Sequence, residues 1–110
     1  MFDPETGIFE VATGVDGTVL LAQIERGEWW LHLRFKGDWS VGKYKAMLRS
    51  LMELLTYLED RDVDWVYTII PKGNPLLLKF ERMFGFEEIA QVQDHILLRR
   101  STWQRPLSTS

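Results

Sequence analysis

The chain has 110 residues, 45% of them hydrophobic, and carries 13 lysines and arginines against 16 aspartates and glutamates. This composition predicts one folded domain, because disordered chains have far fewer large apolar side chains. The absence of cysteine excludes disulfide bonds, a thiolate nucleophile and cysteine-bound metals. The formal net charge of -3 gives no general attraction for nucleic acid.

Hydrophobic periodicity and turn residues predict eight elements. Glycine and proline interrupt the first sixteen residues, which leaves room for only a loose edge strand. Later segments alternate at the strand period or carry an apolar stripe at helical spacing. In chain order we predict strands 8–12, 18–25 and 28–35, helix 41–59, strand 63–70, helix 75–84, and strands 86–92 and 95–100.

This order, β-β-β-α-β-α-β-β, predicts an α/β (α+β) fold in which a single mixed sheet is flanked by two main helices. Strands 28–35 and 63–70 should be parallel, because a long helix connects them. The short link Gln93-Asp94 predicts an antiparallel hairpin. We expect one domain at 1–100 and a flexible tail at 101–110, where serine and threonine are frequent.

The second helix has clear start and stop signals. Asn74 can cap it, and Pro75 suits its first position because no helical N–H is needed there. Gly85 supplies the left-handed conformation that ends a helix, and Phe86 packs back over the last turn. The helix should lie on the core through the apolar stripe Leu76, Leu77, Phe80, Met83 and Phe84.

The long helix places its charges against the preference of its dipole, since lysines lie near its start and acidic residues near its end. One interpretation is an anion pocket formed by lysines and free N–H groups. The other is that exposed charges are tolerated there, at about 0.3–1 kcal/mol each. A nucleic-acid interface is disfavoured because acidic residues weaken the field of its candidate members, Trp39, Lys43, Lys45 and Arg49.

The remaining candidates are isolated side chains. Neither histidine has neighbours at metal-ligand spacing, so no metal site is predicted. His32 shares a strand with Glu28 and could transfer protons, although a structural role fits it as well. Two tryptophans on one surface would form a partner patch, and the candidates are Trp30, Trp39 and Trp103.

Nothing in the sequence predicts an association with a membrane. The apolar runs are too short to span one, and the first residues lack the pattern of a signal peptide. We therefore expect an intracellular protein.

The order of elements over 18–100 resembles the GCN5-related N-acetyltransferase (GNAT) family. The most specific part of this resemblance is Asn74-Pro-Leu-Leu-Leu-Lys-Phe-Glu-Arg-Met-Phe-Gly85-Phe86-Glu-Glu-Ile. The resemblance implies that the helix after the glycine turn receives the pyrophosphate of acetyl-coenzyme A and that the asparagine lies near the pantetheine arm. These cofactor-binding roles would fall on Val41, Gly42, Lys43 and Asn74.

Three departures from the family pattern imply a truncated, degenerate member. The pyrophosphate motif reads Trp39-Ser-Val-Gly42-Lys-Tyr44, in which only the central glycine remains and Tyr44 brings a large side chain. The tyrosine that often serves the family as general acid is replaced by Glu81. The two helices that normally precede the second strand and shape the acceptor site are missing.

The sequence is also similar to small GNAT-like internal-virion and head-assembly proteins of tailed bacteriophages. That resemblance implies a virion or assembly protein in the host cytoplasm or the virion, without cofactor or acetyltransferase activity. It would bind a protein partner and could form a homo-oligomer. The alternative is a minimal acetyl-coenzyme A-dependent N-acetyltransferase, for which Glu28 is the candidate general base acting on an amine.

Overall fold

The computed structural model describes residues 2–3, 8–12, 19–34, 37–38 and 40–103. It contains seven strands and two helices in this part of the chain. Their bounds are β1 Phe2–Asp3, β2 Ile8–Ala12, β3 Val19–Glu25, β4 Glu28–Arg34, α1 Val41–Glu59, β5 Trp65–Pro71, α2 Pro75–Met83, β6 Glu87–Val92 and β7 His95–Ser101.

All the strands lie in one sheet with the order β1-β2-β3-β4-β5-β7-β6. The pair β4–β5 is parallel and every other neighbouring pair is antiparallel. The predicted single mixed sheet with two helices is therefore confirmed, as are the parallel pair and the final hairpin. The structure adds β1, a strand of two residues that is too short to show a period in the sequence. The expected strand ends at 18 and 35 lie outside the described residues.

Both helices pack on the same face of the sheet, which we call the covered face. Alternate residues of a strand point to opposite faces, and in β5 it is Val66, Thr68 and Ile70 that are buried. These strand residues join one core with the inner stripe of α1, of which Leu54 and Leu55 are completely buried. The other face, with Trp65, Tyr67 and Ile69 of β5, is the open face.

The helix ends follow the signals in the sequence. The Ser40 hydroxyl accepts a hydrogen bond of 3.1 Å from the Lys43 N–H and begins α1. Asn74 begins α2 in the same way, since its side-chain oxygen accepts a 3.0 Å bond from the Leu77 N–H. Gly85 has a φ of 88° and follows the last turn of α2, as its left-handed role predicts.

The beginning of the expected tail is packed. Ser101 ends β7, and both Ser101 and Thr102 are buried. The Thr102 N–H donates a 2.9 Å hydrogen bond to the Asp64 carbonyl, and its hydroxyl donates to the Val63 carbonyl. These bonds fasten the chain just past β7 to the start of β5. Residues 104–110 lie outside the described residues, and for them the flexible tail stays a prediction.

Candidate functional site

The parallel strands β4 and β5 pair only near their beginnings. The ladder consists of Trp29 with Val66 and Trp30 with Tyr67, although each strand has seven residues. Beyond these pairs, the described residues show one link, a 3.0 Å hydrogen bond from the Thr68 hydroxyl to the Leu31 carbonyl. We call the gap between 31–33 and 68–70 the β4–β5 cleft. Its strand edges have backbone groups that the sheet itself does not pair.

Both helices begin at the edge of the sheet towards which this cleft opens. β4 leads into α1 and β5 leads into α2, and parallel strands end at the same edge. In open α/β sheets, ligands bind outside the carboxyl ends of such strands. The positive ends of two helix dipoles therefore lie near one gap in the sheet.

The first turn of α1 presents backbone donors to solvent. Val41 is 68% exposed and Gly42 is also exposed. Their N–H groups precede the first hydrogen bonds of the helix, which run from Lys43 to the Ser40 side chain and from Tyr44 to the Ser40 carbonyl at 3.0 Å. A carbon atom added at Gly42 would meet nothing within 4 Å, so the space beside this turn is open.

Lys43 is buried, although its position near the start of α1 suggested that its side chain would face a bound anion. Its side chain is only 1% exposed and belongs to the interior of the protein. A phosphate at the start of α1 would therefore meet the backbone N–H groups of Val41 and Gly42 first. The predicted role of Lys43 in cofactor binding stays a prediction.

Tyr44 and Asn74 occupy the two helix starts. The Tyr44 ring is stacked on Phe84 with 5.3 Å between ring centroids and 11° between planes, so it is turned towards the end of α2. The large Tyr44 side chain, which was expected to obstruct a phosphate, therefore packs on Phe84. Asn74 is exposed at the start of α2, where its side-chain oxygen serves as the cap. A contact of Asn74 with a cofactor stays a prediction.

Glu81 is a buried acid on the core side of α2. It is 5% exposed, and its Oε2 atom has no hydrogen-bond partner among the described residues. Burial raises the pKa of this carboxyl from 4.5 to about 7, because the charged form loses its hydration. Of the predicted stripe, Leu77 and Phe84 lie on the core, whereas Met83 was wrong because it is 41% exposed. The side chains of Leu76 and Phe80 lie outside the described ones. Glu81, which the predicted stripe did not include, is buried. The burial of Glu81 could not be predicted from its residue type, because glutamate is usually exposed. Its apolar neighbours Leu77 and Phe84, each about one helical turn away, could have indicated it.

The open face carries the remaining candidates. Glu28 and His32 are exposed on β4, and Trp30 lies between them on the same face. Trp30 packs against Tyr67 with ring centroids 5.6 Å apart. Trp103, which is 53% exposed, meets Trp65 edge-on at 5.2 Å. The third predicted tryptophan of a partner patch, at position 39, lies outside the described residues.

The described residues form neither a membrane-spanning helix nor a metal-binding cluster. Neither described helix is long and apolar enough to cross a membrane. The described histidine, aspartate and glutamate side chains include no group of three or more that could hold a metal ion.

No protein-family model matches the sequence, and no curated protein matches it. Solved structures do match. The PaiA N-acetyltransferase from Thermoplasma acidophilum in complex with coenzyme A has a TM-score of 0.72 and 13% identity, over 86% of this chain and 61% of that one. The aminoglycoside 6'-N-acetyltransferase from Enterococcus faecium has a TM-score of 0.66 and 16% identity, over 96% and 80%.

A third solved structure, SsHAT, is 28% identical with a TM-score of 0.61, over 69% of this chain and 37% of that one. The chain thus spans less than two thirds of both SsHAT and the Thermoplasma protein. The matches with these solved structures define the class: the protein has a GNAT-like fold.

Proposed function

We propose that the protein is an acetyl-coenzyme A-dependent N-acetyltransferase that binds its cofactor in the β4–β5 cleft. The observation that carries this proposal is the separation of β4 from β5 after Trp30 and Tyr67, at the edge where α1 begins. A similar solved structure, the Thermoplasma N-acetyltransferase, holds coenzyme A. That similarity supports the proposal through the fold alone.

The described residues fit the chemical parts of this cofactor. The N–H groups of Val41 and Gly42 at the positive end of α1 suit a pyrophosphate. The backbone edges of the cleft suit an extended, amide-bearing arm, because such an arm can pair with unpaired strand groups. Asn74 stands at the same edge at the start of α2. Acetyl-coenzyme A supplies an acetyl group activated as a thioester.

In this proposal, Glu28 receives a proton from the acceptor amine. It is exposed at the start of β4, on the open face, two positions before Trp30. An amine must lose a proton to become a nucleophile, and a carboxylate can accept it directly or through water. In this role Glu28 is a general base, and the bound amine lies on the open face.

A second candidate function is that of an interaction protein without acetyltransferase activity, as the similarity to bacteriophage assembly proteins implies. The observation that favours it is the group of large aromatic side chains on the open face, since tryptophan and tyrosine are enriched at interface hot spots. The phage relationship itself stays a prediction from the sequence.

Calorimetric titration of coenzyme A separates the two candidates, and Gly42 offers a matched pair of variants. Glu at position 42 sets a negative charge beside the phosphate site, whereas Gln has the same size without the charge. The Cβ atom that both variants add meets nothing within 4 Å, and both residues are compatible with a helix, so the fold should stay intact. We expect micromolar binding by the wild type and an affinity of Gly42→Glu about tenfold below that of Gly42→Gln, whose neutral side chain of the same size measures the steric effect alone.

If the wild-type protein gives no heat of binding with millimolar coenzyme A, the proposal of an acetyltransferase is contradicted and that of an interaction protein is favoured. Equal affinities of the two variants contradict the placement of the phosphates at the start of α1. Thermal unfolding of each variant checks that the loss of binding does not come from loss of the fold.

A further inference from the structure

The aromatic pair Trp30–Tyr67 lies at the base of the β4–β5 cleft. These two residues form the last ladder pair before the strands separate, and their rings face the open side of the sheet. Both side chains are half-buried, so part of each ring is accessible. A group held in the cleft would therefore end beside an aromatic surface.

The same surface already holds one cation. The guanidinium carbon of Arg99 lies 4.0 Å from the centroid of the Trp65 ring. Arg99 is also the cross-strand partner of Tyr67, so this contact is next to the Trp30–Tyr67 pair in the sheet. The faces of indole and phenol rings attract cations through their quadrupole, as the contact of Arg99 with Trp65 illustrates.

The charges nearby favour a positively charged occupant. Glu28 lies on the same face as Trp30, and its cross-strand partner on β3 is Glu25. Both carboxylates are exposed. Arg99 places a positive charge on the same surface, and its cross-strand partner on β6 is a third exposed carboxylate, Glu87. Together with the net charge of -3, the three carboxylates would repel the phosphates of a nucleic acid and attract an ammonium group.

We infer that Trp30 and Tyr67 form a binding site for an organic cation, an alkylammonium group, with Glu28 as its charged neighbour. The rings supply cation–π attraction and the carboxylate supplies charge, so the site selects its ligand by positive charge. The inference rests on the proposed function for the role of this ligand, which is the acceptor amine. Binding itself can be measured without any catalysis.

The test uses three probes of the same chain length: cadaverine, which carries two ammonium groups, pentane-1,5-diol, which is neutral, and glutarate, which is an anion. NMR titration of the full chain follows the indole N–H signals of the tryptophans. We expect saturable shifts of the Trp30 signal with cadaverine and none with the other two probes. Equal responses to cadaverine and to the diol or glutarate overturn the inference.

Three variants locate the site. Trp30→Leu keeps an apolar side chain but removes the ring, and should weaken cadaverine binding by about fivefold or more. Trp30→Phe keeps an aromatic face and should retain most of the affinity, which separates loss of the ring from loss of the fold. Trp103→Leu removes an exposed indole beside a different ring and should leave the affinity unchanged. Equal affinities of the Trp30→Leu and wild-type proteins overturn the inference.

The titration with coenzyme A keeps this inference distinguishable from the proposed function. Cadaverine binding without coenzyme A binding contradicts the acetyltransferase and supports the cation site. Coenzyme A binding without cadaverine binding supports the acetyltransferase and overturns the cation site.

Discussion

The two faces of the sheet differ in what their side chains contact. On the covered face, Val66 and Leu98 of the strands are completely buried, as are Leu54 and Leu55 of α1, which pack against this face. On the open face, the rings of Trp30, Trp65 and Tyr67 are half-buried and contact one another or a cation, and no described helix covers them. The covered face therefore determines stability, and the open face provides large side chains that can bind a ligand.

The covered face also encloses charged groups. The Arg100 guanidinium donates to the carbonyls of Phe84 and Ser101. Glu81 is buried on the same side. Buried polar groups are costly unless hydrogen-bonded, so changes near Arg100 and Glu81 should have the largest effects in the molecule.

The largest expected effect is that of Gly85→Ala. Gly85 has a φ of 88°, which costs an alanine about 1–2 kcal/mol, and an added carbon would overlap the Arg100 guanidinium. The guanidinium would have to shift and give up its hydrogen bond to the Phe84 carbonyl, which costs a further ~1–3 kcal/mol for a buried group. We expect the free energy of unfolding in urea to fall by about 2–5 kcal/mol.

Gly73→Ala is the matched control. Gly73 has a φ of 83°, but an added carbon there meets nothing within 4 Å. Its loss should be limited to the backbone cost of about 1–2 kcal/mol. Equal losses at the two glycines would show that the approach of Arg100 contributes nothing.

The second prediction concerns pH. Burial raises the pKa of Glu81 to about 7, whereas the unfolded chain keeps a value near 4.5, so the folded state holds this proton more tightly. The contribution of Glu81 to stability is complete below pH 4.5 and is lost as the pH rises to about 7. The free energy of unfolding should fall by up to about 3 kcal/mol across this range and then level off.

Glu81→Gln removes the ionisable carboxyl group and should therefore remove this part of the pH dependence. Urea unfolding at pH 4.5 and pH 8 measures the difference for both proteins. Parallel changes in the wild type and in the variant would contradict a penalty for the charged carboxylate.

The third prediction compares neighbours on β5 that point to opposite faces. Ile70 is 3% exposed on the covered face, and Ile69 is 43% exposed on the open face. Ile70→Thr loses apolar burial and buries a hydroxyl, which should cost about 2–3 kcal/mol. Ile69→Thr should cost less than about 1 kcal/mol. A loss at Ile69 as large as that at Ile70 would show that the open face is packed in solution.

Much of the fold could be predicted because it depends on local signals. Asn74, Pro75 and Gly85 mark the ends of α2, and the alternation in 28–35 marks β4. Because these signals involve only a few neighbouring residues, they can be recognised in a single sequence. The strand β1 was not predicted, because two residues show no period.

The candidate site was less predictable because it depends on distant residues. The cleft comes from the parting of β4 and β5, and hydrophobic periodicity does not record where two parallel strands separate. The Trp30–Tyr67 pair depends on the register between those strands. The burial of Lys43 and Glu81 is set by how the helices lie on the sheet. A charged residue within an apolar stripe does not show by itself on which side it points.

Binding of coenzyme A in the β4–β5 cleft can be tested by an NMR titration followed at the backbone amides. We expect the largest shifts at Val41 and Gly42 and along 31–33 and 68–70. The absence of saturable shifts, or shifts confined to residues of β6 at the far side of the sheet, would contradict this expectation.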